Sequence, residues 1–389
     1  MKKQNVAVIF GSRSTEHDIS IVTAISSIIK PLELSGKYTV TPIYIDKKGR
    51  WFSAAELKDI ALYSSGRIDE FLSRQKPLLI SMGANGLSIV TFTKLGKKTL
   101  TFDVVFPATH GTHGEDGELM GLLEMTNAAY VGCPLPASAI AMDKVLAKTV
   151  VSNAGIPTAK YVWFYARDFA SDNTAILKSI QSLTYPLFVK PVHLGSSIGI
   201  NKATNQKELL QSIEVAAHYD DKILVEEAVN NLIEVTVPII GNENPRAALV
   251  EQPLPKSDDQ LFDFASKYLH GGSGNKGKSA KSGASSYSKL PADLPEPLYK
   301  MAESTALAAY KAIGCAGIAR VDLLIDSLAK KVYFNEVNPL PGSLYAHNWR
   351  AFGLSNVALV EELIELAVAR AAEKQKLSNV FSSNYLKQY

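Results

Sequence analysis

The stretch that most constrains this chain is Ile318 to Gly342, which reads Ile-Ala-Arg-Val-Asp-Leu-Leu-Ile and then Val-Tyr-Phe-Asn-Glu-Val-Asn-Pro-Leu-Pro-Gly. Two β-rich runs, residues 318–325 and 331–338, flank a short polar turn at Asp326 to Lys330. That is the pattern of a hairpin. Side chains alternate faces with period two. Arg320 and Asp322 therefore share a face, and so do Glu336 and Asn338 on the partner strand. With both sets on the same side, two carboxylates and an amide converge on one spot. Like charges on paired strands repel, so the cluster calls for a cation. An all-oxygen donor set selects a hard ion, Mg²⁺ or Mn²⁺. Arg320 beside it suits an anion such as phosphate. The bland alternative is a solvated polar strand face. Against it stands the Asn-Pro-Leu-Pro-Gly that follows, which reads as a shaped turn.

At 389 residues the chain has room for two or three domains. Its 46% apolar and 20% charged residues fit an ordinary globular protein. A net charge of +3 is too small to argue for nucleic acid. The two cysteines, Cys133 and Cys315, both lie in apolar company. That suits a reducing compartment and no disulfide framework. The opening apolar run is broken by Gly11, Ser12 and Arg13 and is too short for a signal peptide. No run approaches the ~18 apolar residues of a membrane span. A cytoplasmic protein with no membrane partner is expected.

Val6 to Phe10 reads as a buried strand that stops at Gly11. A polar loop, Ser12 to Asp18, follows, and Ile19 to Ile29 reads as a helix ending before Pro31. Strand, loop and helix open an α/β sheet, whose ligands sit at the carboxyl ends of the strands. Glu16 lies in that loop, where an anion near a helix N-terminus is favourable in any case. Val40 to Ile45 and Phe102 to Pro107 read as further strands. Residues 54–100 between them alternate only weakly. His110, His113, Glu115 and Asp116 crowd a Gly-rich loop whose spacing fits no helix-borne zinc motif. A loop wall around a substrate is the better reading. Gly132 to Pro136 marks a domain boundary. The helix after it carries Lys144 and Lys148 one turn apart, a spacing usual for a solvated face.

Leu187 to Pro191 is an apolar strand carrying Lys190. The loop that follows, Val-His-Leu-Gly-Ser-Ser-Ile-Gly, contains Ser196. A lysine before a Gly/Ser-rich loop suits a phosphate cradle, although it is not a Walker A motif. Ile223 to Val229 reads as a strand ending in exposed acids, Glu226 and Glu227, with Glu234 in the next strand. From Phe264 to Ala292 there is no acid, and five lysines include Lys267. Such a segment buries too little to order itself. A mobile cationic lid over a polyanion is expected at residues 267–289. Residues 301–313 and 356–373 read as helices, and the tail from Lys376 as frayed.

Taken together these pieces resemble the D-alanine–D-alanine ligases of the ATP-grasp superfamily, over about residues 5–370. The motifs fall in order: Phe-Gly-Ser-Arg-Ser-Thr-Glu-His-Asp-Ile-Ser, His-Gly-Thr-His-Gly-Glu-Asp-Gly, Ala-Met-Asp-Lys, Val-Lys-Pro with Gly-Ser-Ser-Ile-Gly, Ser-Lys-Tyr, Ala-Arg-Val-Asp, and Asn-Glu-Val-Asn with Pro-Gly. The resemblance implies a mixed α/β and α+β chain. An N-terminal open parallel-sheet domain (1–135) would precede a two-domain ATP-grasp fold, with a central subdomain (136–230), a C-terminal subdomain (231–375) and a tail (376–389). It implies that Lys144, Lys190 and Lys267 contact ATP. Glu226, Glu227 and Val229 would surround adenine, and Glu234 would take the ribose. Asp322, Glu336 and Asn338 would hold two Mg²⁺ or Mn²⁺ ions. Glu16 would meet the ammonium of the first D-amino acid, and Ser196 would orient the substrates and Tyr268. Arg320 and the Gly342 backbone would stabilise the oxyanion. A homodimer is also implied.

Two features depart from the family pattern. The lid is long and Gly/Ser/Lys-rich. After Gly342 a Ser343-Leu-Tyr-Ala-His347-Asn-Trp run stands where the family has a Thr/Ser-rich run for the second substrate's carboxylate. Ser343 and His347 are the candidates for that role here. Joining two D-alanines for peptidoglycan is the leading expectation. The same chemistry with D-serine, D-lactate or another amino acid as second substrate is the alternative, and a non-catalytic nucleotide-binding module is the remote one.

Overall fold

The computed structural model describes residues 3–83, 86–93, 96–195, 197–254, 288–378, 383 and 385–389. Ser196, Lys267, Tyr268 and almost all of the expected lid lie outside these residues. At the front stands a four-stranded sheet in the order Trp51–Phe52, Tyr38–Ile45, Gln4–Gly11, Val104–Pro107. Its last three strands are parallel, as the strand–loop–helix opening led one to expect. Strand Gln4–Gly11 is buried along almost its whole length, which is why it reads as a continuous apolar run. It ends at Gly11 with φ +93°. A Cβ there would lie 2.1 Å from the Ile45 carbonyl oxygen, so glycine alone lets the chain turn into the Glu16 loop.

The helix after that loop does not stop before Pro31. It runs α over His17–Val22, π over Thr23–Ile29 and α again over Lys30–Ser35. Proline clashes with the carbonyl one α-turn back. Here the wider π turn precedes it, and Pro31 opens the resumed α-helix. The weakly patterned region also holds an antiparallel three-stranded sheet, Leu79–Gly83, Gly86–Thr93 and Gly96–Thr101, which the sequence reading did not resolve.

The central sheet is antiparallel, in the order Asn201–Ala203, Leu187–Pro191, Lys222–Glu227, Tyr161–Tyr165. Helix Gln206–Tyr219 seals one face, burying Leu209, Ile213 and Ala216 against Val189 and Val225. The C-terminal sheet has the order Arg246–Ala247, Leu232–Gly241, Gly317–Asp326, Lys331–Asn338. Its last two strands are the expected hairpin. Helices Glu296–Ile313, Leu135–Met142 and Lys144–Asn153 share its core, so that Ala137, Ala147 and Val151 join Val321 and Phe334. The chain's last long helix, Asn356–Gln375, returns to the first domain. There Leu359 and Leu363 pack with Ile25, Ile28 and the fully buried Trp349.

Candidate active site

The hairpin register puts Arg320 directly opposite Asn338, and Asp322 directly opposite Glu336. The period-two reading therefore holds at all four positions. The register then slips between Asp322 and Leu323, which leaves Asn335 unmatched. Such a bulge re-aims a side chain. Asn335 Oδ1 accepts a hydrogen bond from Lys190 Nζ at 3.4 Å. Arg320 holds Asp322 through two charge-assisted bonds, Nε to Oδ1 at 2.8 Å and Nη2 to Oδ2 at 2.7 Å. Its guanidinium lies 5.4 Å from the Tyr345 ring centre. Glu336 Oε2 is 3.4 Å from Lys144 Nζ. Two carboxylates facing one another thus each have a cation beside them. Their all-oxygen donor set fits a divalent hard ion.

Lys144 opens helix Lys144–Asn153, and the Asp143 carboxylate caps that helix by accepting from Val145 N and Leu146 N, both at 2.9 Å. Lys144 Nζ donates to the Leu194 carbonyl at 2.7 Å and so ties the helix to the Gly/Ser loop. The expectation that Lys144 and Lys148 form a solvated face is wrong: both are buried, Lys148 at 1% exposure. Lys148 shares the helix face of Val145 and Val151, which packs inward. Its place in that apolar stripe was the signal available in the sequence.

The expected pair of exposed acids is split by the pleat. Glu226 turns inward between Lys148 and Lys190, while Glu227 accepts from Thr184 N at 2.9 Å. Strand Lys222–Glu227 lies inside its sheet, not at the edge. Burial works against the Glu226 carboxylate, but the two lysines outweigh it and hold it well below the usual carboxylate range. Burial likewise pulls Lys148 down from the ordinary lysine range, with Glu226 offsetting part of the effect.

These residues border an open cleft of about 720 Å³ between the central and C-terminal sheets. Lys144, Lys190, Glu226, Val229, Glu234 and Glu336 all reach it. A second hollow adjoins it, shares Lys144 and Glu336, and adds Glu16, Glu115, Arg320 and Asn338. Glu16 and Glu115 are both buried there. Burial raises the Glu115 carboxyl, and His110 and the Gly111 N–H work the other way. Two acids at one end of a hollow suit a cationic group. Sequence reasoning left Glu115 in an undifferentiated loop wall. His113 turns instead to Glu118, at 2.6 Å, so the four residues of that loop do not gather into one metal site.

After Gly342 the chain makes a left-handed turn, with φ of 52°, 55° and 53° at Ser343, Leu344 and Tyr345. Ser343 N donates to Thr23 Oγ1 at 2.9 Å. His347 Nε2 is 2.8 Å from Glu251 Oε2, a carboxylate that Asn348 also holds.

Two family models match the chain, "D-ala D-ala ligase N-terminus" over residues 5–133 and "D-ala D-ala ligase C-terminus" over residues 150–365. This chain belongs to the D-alanine–D-alanine ligase family. It is thereby an enzyme of the ligase class, with the ATP-grasp fold. The ligase is 36% identical to a D-alanine–D-alanine ligase of Acetivibrio thermocellus, across 96% of this chain and 98% of that protein. It is 39% identical to one from Chlorobium phaeovibrioides, across 95% and 98%. Among solved structures it is similar to the D-alanine–D-alanine ligase of Coxiella burnetii, with a TM-score of 0.77 and 30% identity, covering 97% of each chain. A D-Ala:D-Ser ligase of Enterococcus faecalis is equally similar in fold, with a TM-score of 0.77 and 32% identity, covering 94% of the ligase and 100% of that chain.

Proposed function

We propose that the ligase uses ATP to join D-alanine to a second D-alanine, forming D-alanyl-D-alanine for peptidoglycan precursors. The observation that carries this is the junction of the two hollows. Lys144, Lys190 and Glu336 line the larger, while Arg320, Glu336 and Asn338 line the smaller, which a pair of buried acids closes. A carboxylate is a poor electrophile, so it is first phosphorylated by ATP to an acyl phosphate. The amine of the second substrate attacks, and the tetrahedral intermediate expels phosphate.

Asp322, Glu336 and Asn338 would hold the Mg²⁺ or Mn²⁺ ions, which offset phosphate charge when bound. Lys144 and Lys190 meet the phosphates from the other wall of the cleft. Glu16, with Glu115 behind it, receives the ammonium of the first substrate. Arg320 is placed by Asp322 and Tyr345 to face the developing oxyanion, and preorganised donors of this kind contribute most where charge builds. The Gly342 backbone and Ser343 border the second substrate, with His347 behind them on Glu251. The same reading puts the enzyme in the cytoplasm as a homodimer, which sedimentation of the purified chain checks. No helix among the described residues is long and apolar enough to cross a membrane.

A second substrate other than D-alanine is favoured by two observations. The Ser343–Trp349 run departs from the family pattern, and a D-Ala:D-Ser ligase matches the fold as well as a D-Ala:D-Ala ligase does. Phosphate release with D-alanine paired in turn with D-alanine, D-serine and D-lactate decides between them. Turnover greatest with the D-alanine pair is expected. Release that ignores D-amino acids altogether would sink the ligase reading.

A further inference from the structure

Lys148, at 1% exposure, is as deeply buried as Glu226 and lines neither hollow. Its Nζ lies 2.9 Å from Glu226 Oε2 and 5.8 Å from the centre of the Tyr161 ring. Among the described residues neither of those two atoms has a directed hydrogen bond, so the contact is one of charge with charge. Glu226 Oε1 is in ion-pair contact with Lys190. One carboxylate is thus shared by two ammonium groups, and the buried trio carries a net charge of one positive.

Burying an ammonium costs several kcal/mol, and replacing a whole buried ion pair by well-packed apolar residues is often neutral or stabilising. A lysine at this place therefore needs a reason other than stability. We infer that Lys148 is a positioning residue for nucleotide phosphate. By taking half of the Glu226 charge it leaves Lys190 a net cation directed into the cleft. The inference rests on the nucleotide reading above.

Without Lys148, Glu226 belongs to Lys190 alone. The pair becomes neutral, and Lys190 is drawn back from the phosphates. Removing Glu226 as well returns a net positive charge to Lys190. The two changes therefore oppose one another in phosphate affinity, whereas damage to packing would accumulate.

The test measures ADP and adenosine affinity by calorimetry in metal-free buffer. It compares the wild-type chain, Lys148→Met, and the double variant Lys148→Met with Glu226→Gln. The readout is the ratio of ADP to adenosine affinity, which cancels any effect on adenine contacts. In Lys148→Met the ratio should fall about tenfold or more, the size of a lost charge-assisted bond. In the double variant it should return to within about threefold of wild type. If Lys148→Met does not fold, the double variant, a neutral pair of similar volume, carries the comparison alone. An unchanged ratio in the single variant overturns the inference, as does a double variant about tenfold or more below wild type. Failure of the wild-type chain to bind ADP would instead overturn the nucleotide reading.

Discussion

Replacing His193 with glutamine isolates one charge at the root of the Gly/Ser loop. His193 follows the strand that carries Lys190, and its ring bridges two acids. Nδ1 is 3.0 Å from Asp220 Oδ1, and Nε2 is 3.4 Å from Asp143 Oδ2. Asp221 lies close by, and Lys222 Nζ meets the same Asp143 oxygen at 2.7 Å. Hydrogen bonds to Asp143 and then Asp220 raise the His193 pKa from 6.5 to about 9. A group whose pKa is higher in the folded state stabilises fully below its unfolded value. That contribution fades as pH climbs through the folded value, so the window here runs from 6.5 to about 9. The rise is worth at most ~3.4 kcal/mol at ~1.36 kcal/mol for each tenfold. The side chain is 46% exposed, and solvent screening brings the expected figure to about 1 kcal/mol. His193→Gln should therefore melt about 1 °C below wild type at pH 6. By pH 10 the two should coincide. Because Asp143 caps the Lys144 helix, ADP affinity should show the same convergence. The assay is a thermal melt at fixed ionic strength from pH 6 to pH 10. A gap that stays constant across that range would refute the charge argument and leave His193 as a packing residue.

Further substitutions probe the rest of the site. Glu336→Gln removes one of the two facing carboxylates and should cut turnover at least about 100-fold, with the melting temperature unchanged; near wild-type phosphate release would end the metal assignment. Gly11→Ala places a methyl group 2.1 Å from a backbone oxygen in a left-handed residue, and should cost at least ~2 kcal/mol while raising KM for the first D-alanine. Trp349→Ala empties a fully buried site that joins the first domain to the last helix, and a loss of about 3–5 kcal/mol is expected in urea unfolding. His347→Ala leaves the buried Glu251 carboxylate with Asn348 as its remaining side-chain partner on that segment. A stability loss of about 1–3 kcal/mol is expected, and an unaltered second-site KM would show that the histidine serves packing alone.

The hairpin was legible because strand periodicity is a local rule. Once Gly317–Asp326 and Lys331–Asn338 pair, Arg320, Asp322, Glu336 and Asn338 have no choice of face. The slip that frees Asn335 was not legible, because it depends on how the two strands twist against the rest of their sheet. The helix through Pro31 was missed for a related reason. Its π turn is held by packing in the first core, where Ala24, Ile25, Ile28 and Ile29 are buried.

Sequence alone determined the hairpin and its oxygen donors, the lysine before the Gly/Ser loop and the family. Each of these is written in a short run of neighbouring residues. Tertiary structure alone decided which charges meet. Lys148 and Glu226 stand far apart in the chain, as do His347 and Glu251. Spacing within a helix or strand says which side a residue takes, not what will be packed against it. The reading of Lys144 and Lys148 as solvent-facing failed there: the helix is pressed between two sheets, and in that low dielectric a buried lysine persists because a carboxylate from another strand stands opposite it.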